Sequence, residues 1–373
     1  MTAENTSVLV SMTPFKGSLS NLEACQSVSL ALTELNIAHS VLPIGDGGNG
    51  TGLSLHQALG GEFITLNSFD PLGHAIEAPV LCFPNSKNPT CIYIESSSVC
   101  GHTLIKQNKQ NALAASSFGL GDLLNQASTL WSLSLKEIWV GLGDSAVSDV
   151  GIGMLSALGV TFWDGSQNKL LPSTENLIHI SSFTAPEKDW SHLSFTILCD
   201  VSNSICGPSG SAQIFSPQKG ATPEEVDLIA RGMENFASLI EIKTGRLIKN
   251  VPMTGSAGGL STAFLGFLNA QLVPGCEFLF EKISFDSKLM AHSLVVTGEG
   301  KTDLQTLKRK APSIVASHAK RLQKKCLLVS GSLEIERATL ISELTLIGAY
   351  ECGRDPSPTE ALTKKTLEVF KDF

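Results

Sequence analysis

The stretch SVLVSMTPFKGSLSNLEACQSVSLALTELNIAHSVLPIGDGGNGTG, Ser7–Gly52, decides the fold. SVLVSM is short, apolar and β-branched, the composition of a buried strand. It breaks into TPFKGS and then into a segment where Leu22, Cys25, Val28, Leu30, Leu32 and Leu35 lie roughly on one helical face. Ser18, Ser20 and Asn21 are each able to cap that helix. SVLPI then forms a second strand that runs into glycines. Strand, helix and strand in this order make a βαβ unit, the building block of a parallel sheet.

The same rhythm returns near the other end of the chain, in SLVVTGEG, KKCLLVSGSLE and TLIGAYE, before a last helix in PSPTEALTKKTLEVF. The middle differs. Its strands are shorter, partly alternating and separated by Pro and Gly turns, as in a mixed sheet. Its clearest helix is ATPEEVDLIARGMENFASLIEI, with Thr222 as N-cap, Pro223 at the first position and Glu225 at the third. The expectation is an α/β protein of two domains. Both chain ends, residues 1–68 and 285–373, build a Rossmann- or flavodoxin-like parallel-sheet domain, and residues 69–284 form an inserted α/β domain.

Composition narrows the class. A chain of 373 residues is more than one core usually absorbs. At 42% hydrophobic and 17% charged it is an ordinary globular sequence, and its net charge of -8 excludes a general nucleic-acid surface. Nine scattered cysteines without a CxxC pair suit neither a disulfide framework nor a zinc site. There is no basic leader and no apolar run of membrane-spanning length. A cytoplasmic protein without nucleic-acid or membrane partners is expected, with homo-oligomerisation left open.

Four loops stand where strands of a parallel sheet end, the place where such sheets bind ligands. They are TPFKGS, GDGGNGTG, GDSAVSDVG and TGEGKTD, and they carry Lys16, Asp46, Asp149, Glu299 and Asp303. Glycine-flanked N–H groups hold anions, and acidic side chains beside them suit phosphate with a divalent metal. The pattern points to a small anionic ligand and to phosphoryl transfer. GxxxxGK[ST], the protein-kinase HRD and DFG loops and GxSxG are all missing.

Eight short motifs in one order carry a resemblance. TPFKGSLS, GDGGNGTG, DPLG, GDSAVSDVG, CDVSN, FSPQKGAT, SAGGL and TGEGKTDLQTLKRKAP together span essentially the whole chain. The set resembles the bacterial glycerate kinase family, whose motifs read approximately PDSFKGS, DGGEGT, GGSATNDGG, FGPQKGAT and GEGRxDxQT. The resemblance implies ATP- and Mg2+-dependent phosphorylation of glycerate, usually at the 2-hydroxyl. It implies catalytic roles for Lys16, Asp46, Asp149 and Asp303, and metal binding by Glu299 and Asp303. Ser18, Gly47, Gly48, Ser145, Asp200, Lys219, Gly298 and Gln305 are the matching substrate- or nucleotide-binding positions.

The chain also departs from those motifs. Thr13 stands where the family has Asp, and Asn49 where it has Glu. Asp144, Val147, Ser148 and Val150 replace Gly, Thr, Asn and Gly, and Leu304 and Arg309 replace two glycines. A protein that binds without transferring phosphate, or a kinase for another small hydroxy acid, are the alternatives these departures raise.

Overall fold

The computed structural model describes residues 7–105, 112–307, 310–355 and 357–371; Lys308 and Arg309 of the last motif lie outside these. The chain is α/β, and it divides into two compact units.

The first unit lies within residues 1–46, 50–59 and 276–373. Its sheet has five parallel strands: Ser7–Met12, Ala38–Val41, Leu294–Gly298, Lys325–Ser330 and Gly348–Glu351. Numbered in that order, they lie 2-1-3-4-5, the flavodoxin-like arrangement. Val8, Val10 and Met12 pack with Val296, Leu327 and Val329 against helices Asn21–Glu34 and Pro358–Lys371. The alternate residues Leu9, Val295, Cys326 and Leu328 are also buried. Burial on both faces explains why these strands read as unbroken apolar runs.

Ser20 caps the first helix in a full capping box with Glu23. Its buried stripe contains Ala24, Cys25, Val28, Ala31 and Leu32. Leu30, expected on that face, is 59% exposed. It stands two residues, about 200° of helix, from both Val28 and Leu32.

The second unit lies within residues 47–49 and 60–275. Its six-stranded sheet runs Gln271–Pro274, Ser194–Cys199, Glu137–Gly141, Cys91–Glu95, Ala75–Phe83, Glu62–Phe69. The first four are parallel and the last two antiparallel, the mixed sheet anticipated for the middle of the chain. Strand Glu62–Phe69 pairs with Ala75–Phe83 from Glu62 opposite Cys82 to Phe69 opposite Ala75, and so belongs to this sheet. The core joins Ile92, Ile94, Ile138 and Val140 to Leu120, Leu123 and Leu124 of helix Phe118–Leu130, and to Phe236 and Ile240 of helix Pro223–Thr244. The latter helix begins with the Thr222–Glu225 capping box and Pro223. Among the described residues no helix is long and apolar enough to cross a membrane.

Candidate active-site loops

In a 2-1-3-4-5 sheet the strand order reverses between strands 1 and 3, and the crevice outside their carboxyl ends is where ligands bind. In the first unit these ends are Met12 and Gly298. The loops beyond them hold each other. The Thr13 backbone N–H and its Oγ1 both donate to the Gly298 carbonyl, at 3.0 Å each. A Cβ on Gly300 would stand 3.0 Å from the Phe15 Cα, so a larger residue there would have to push the two backbones apart. Phe15 bridges to Leu19 across a tight turn whose tip, Lys16 to Ser18, is exposed. Ser18 closes that turn through a 3.0 Å hydrogen bond from its hydroxyl to the Phe15 carbonyl.

Asp46 reaches the same sheet edge by another route. Beyond strand 2 the chain stays bonded to strand 1, with Leu42 N–H donating to Val10 and Ile44 N–H to Met12. The glycine turn that follows is anchored by the buried Asn21. Its amide nitrogen lies 3.1 Å from the Ile44 carbonyl, 3.0 Å from that of Gly50 and 2.9 Å from Ser54 Oγ.

Glu299 is 8% exposed, and burial pushes its carboxyl above the usual range, against the Thr306 hydrogen bond and the Lys310 charge that draw it down. Its Oε1 accepts from Thr306 Oγ1 at 2.6 Å and from Thr302 Oγ1 at 3.3 Å. Asp303 Oδ1 accepts the Gln305 N–H at 2.8 Å, which folds this acidic loop back on itself. The first unit thus gathers Lys16, Ser18, Asp46, Gly298, Glu299, Asp303 and Gln305 along one edge of its sheet.

The second unit gathers the remaining expected residues at the carboxyl ends of Glu137–Gly141 and Ser194–Cys199. Gly47 and Gly48 lie against the loop after the former. Gly143 N–H donates to the Gly47 carbonyl at 3.1 Å, and a Cβ on Gly143 would come within 2.3 Å of Gly48 Cα. Asp149, in the same loop, points inward and is 1% exposed. Its Oδ2 accepts from Ser117 N–H and Oγ, both at 2.8 Å, and from Gly153 N–H at 3.2 Å, while Oδ1 accepts from Gly151 N–H at 3.0 Å. Burial raises its pKa, and these donors pull it back.

Lys219, 4% exposed, donates to the Val147 carbonyl and lies 3.4 Å from Ser145 Oγ. Burial pushes its ammonium down to about 8, with Asp200 and then Asp149 opposing the shift. Asp200 is exposed at the end of its strand.

A family model described as the glycerate kinase family matches residues 8–372. This chain belongs to the glycerate kinase family. It is thereby a kinase. It is 31% identical to a glycerate kinase of Bacillus cereus over 97% of this chain and 94% of that one. It is 30% identical to the glycerate 2-kinase of Escherichia coli over 87% and 85%. A crystal structure from Salmonella typhimurium, assigned as a candidate glycerate kinase 2, superposes with a TM-score of 0.77 at 27% identity and covers 99% of this chain and 98% of that one.

Membership gives the departures a structural meaning. Thr13 serves as a donor to Gly298, a bond that an ionised Asp could not make. Asp144 and Val150, at family glycine positions, keep left-handed backbones with φ of 60° and 53°. That is a strained state for a β-branched residue. Val150 is held in it by donating its N–H to the Gly258 carbonyl at 3.1 Å. Asp144 Oδ2 accepts the Asn49 N–H at 3.2 Å.

The donor set also fits a magnesium ion. No cluster of three or more His, Cys, Asp or Glu suited to a metal occurs among the described residues. Glu299 and Asp303 are hard oxygen donors in one loop, and magnesium commonly takes one or two carboxylates and completes its shell with water and phosphate oxygens. Three hydroxyls around Glu299, those of Thr302, Thr306 and Ser330, escape sequence reasoning. The only signal was that Thr302 and Thr306 lie within the TGEGKTDLQT motif.

Proposed function

We propose that this protein transfers the terminal phosphoryl group of ATP to the 2-hydroxyl of glycerate, giving 2-phosphoglycerate and ADP, with magnesium accompanying the nucleotide. The observation that carries the reading is the convergence of Lys16, Asp46, Glu299 and Asp303 at the strand-order reversal of the first unit's sheet. In a phosphoryl transfer the protein chiefly positions groups and neutralises charge. Lys16 offsets the negative charge on the transferring group. Asp46 accepts the proton of the attacking hydroxyl as the new O–P bond forms and the bond to the β,γ-bridging oxygen breaks. Glu299 and Asp303 hold the magnesium, and Ser18, Gly298 and Gln305 border the nucleotide. A magnesium ion held there would supply positive charge to offset that of the phosphates.

In the second unit, Gly47, Gly48, Ser145 and Asp200 are assigned to ligand binding, and the buried Lys219 to holding the Ser145–Val147 loop. Asp149 acts through the loop it pins, because its four accepted hydrogen bonds leave it committed to that loop. The test is magnesium-dependent ATP consumption with and without D-glycerate. Lys16→Ala and Glu299→Gln should each lower the glycerate-stimulated rate by about 10²–10³-fold, the size expected for a group stabilising transition-state charge. Wild-type consumption indifferent to glycerate would refute the reading.

A further inference from the structure

The Glu299 carboxylate is held by hydroxyls in a relay, all of them fully buried: Thr302, Thr306 and Ser330. Thr306 stands at its centre. Its Oγ1 donates to Glu299 Oε1 at 2.6 Å and accepts the backbone N–H of Asp303 at 3.1 Å. One hydroxyl therefore spans the two acidic residues of the loop.

Thr302, the second donor to Glu299, is itself fixed from behind. Its Oγ1 lies 2.8 Å from Ser330 Oγ. A two-residue parallel ladder, Lys301 opposite Ser332 and Thr302 opposite Leu333, locks this register. Gly331 N–H donates to the Glu299 carbonyl at 3.0 Å. The backbone is thus fixed by strand pairing, and the orientation of the carboxylate by hydroxyls.

We infer that Thr306 is a positioning residue for the magnesium–nucleotide complex: its hydroxyl sets Glu299 and Asp303 in the one mutual arrangement that receives the metal, with Thr302 and Ser330 as the supporting relay. The inference rests on the assignment of Glu299 and Asp303 as the metal-holding pair made above. Groups that orient metal-holding side chains without touching the metal typically govern affinity by about 10–100-fold.

The probe is Mn2+, titrated by electron paramagnetic resonance into the intact protein with a non-hydrolysable ATP analogue, alongside urea unfolding of each variant. Thr306→Val keeps shape and loses the hydroxyl, and Mn2+ affinity should fall by about tenfold. Thr306→Ser restores the hydroxyl and should bind close to wild type. A merely structural role would move the unfolding midpoint and leave the affinity of the folded fraction unchanged. If Thr306→Val does not fold, Ser330→Ala, which touches neither carboxylate, should weaken Mn2+ binding in the same direction. Wild-type affinity in the folded variants overturns the role of Thr306 while leaving the assigned function standing. A wild-type protein that binds no Mn2+–nucleotide overturns both.

Discussion

Asp149 and Lys219 are two charges that the sequence offers as site residues and that the fold turns inward. Asp149→Asn removes a buried acceptor with four donors aimed at it. Asn has one acceptor oxygen and brings an NH2 group facing those donors, so the variant should lose about 3 kcal/mol of stability, read from urea midpoints. An unchanged midpoint with lost turnover would instead make Asp149 a catalytic group.

Lys219 predicts a pH dependence. Its folded value is about 8 against an ordinary 10.5, so between these two the unfolded chain holds the proton more tightly. Stability from this group therefore rises as pH rises from 8 toward 10.5. Comparing midpoints at each end of that window, wild type should show a gain that Lys219→Met lacks; equal slopes would contradict it. Sequence alone does not separate such inward charges from Lys16, because each is a polar letter in a Gly-rich loop. Only the burial of the loop's far side tells them apart.

At the scale of elements, local rules were legible where a pattern repeats and opaque where one atom bridges distant segments. The capping boxes at Ser20 and Thr222 follow from spacing within a few residues. Asn21 instead ties the first helix to Ile44 and Gly50, the two ends of the glycine turn, and to helix Thr51–Leu59, a task no local pattern announces. The two should differ on substitution. Thr222→Ala loses one cap and should cost about 1 kcal/mol. Asn21→Ala strands several buried acceptors and should cost about 3 kcal/mol, with a loss of turnover because Asp46 lies in that turn. Equal effects on stability would show that the turn is held by something other than Asn21. Strand Glu62–Phe69 illustrates the same limit: its alternation signals a strand, but its place in the second sheet depends on pairing with Ala75–Phe83.

For the whole molecule, the parallel sheet made from both chain ends was readable because its three central strands, Ser7–Met12, Leu294–Gly298 and Lys325–Ser330, are buried on both faces and advertise themselves as largely apolar runs. The order 2-1-3-4-5 was not, since strand neighbours are set by crossovers that leave little trace in sequence. That order matters to function, because it turns two separate loops, around Lys16 and around Glu299, into one edge where the strands reverse. The measurement that tests this reading most directly is product identification by 31P and 1H NMR after incubating the purified protein with magnesium, ATP and D-glycerate. The expected spectrum shows ADP and a phosphate ester on carbon 2 of glycerate, absent when glycerate is omitted. ATP left intact, or a phosphorylated product in which glycerate is unchanged, would contradict it.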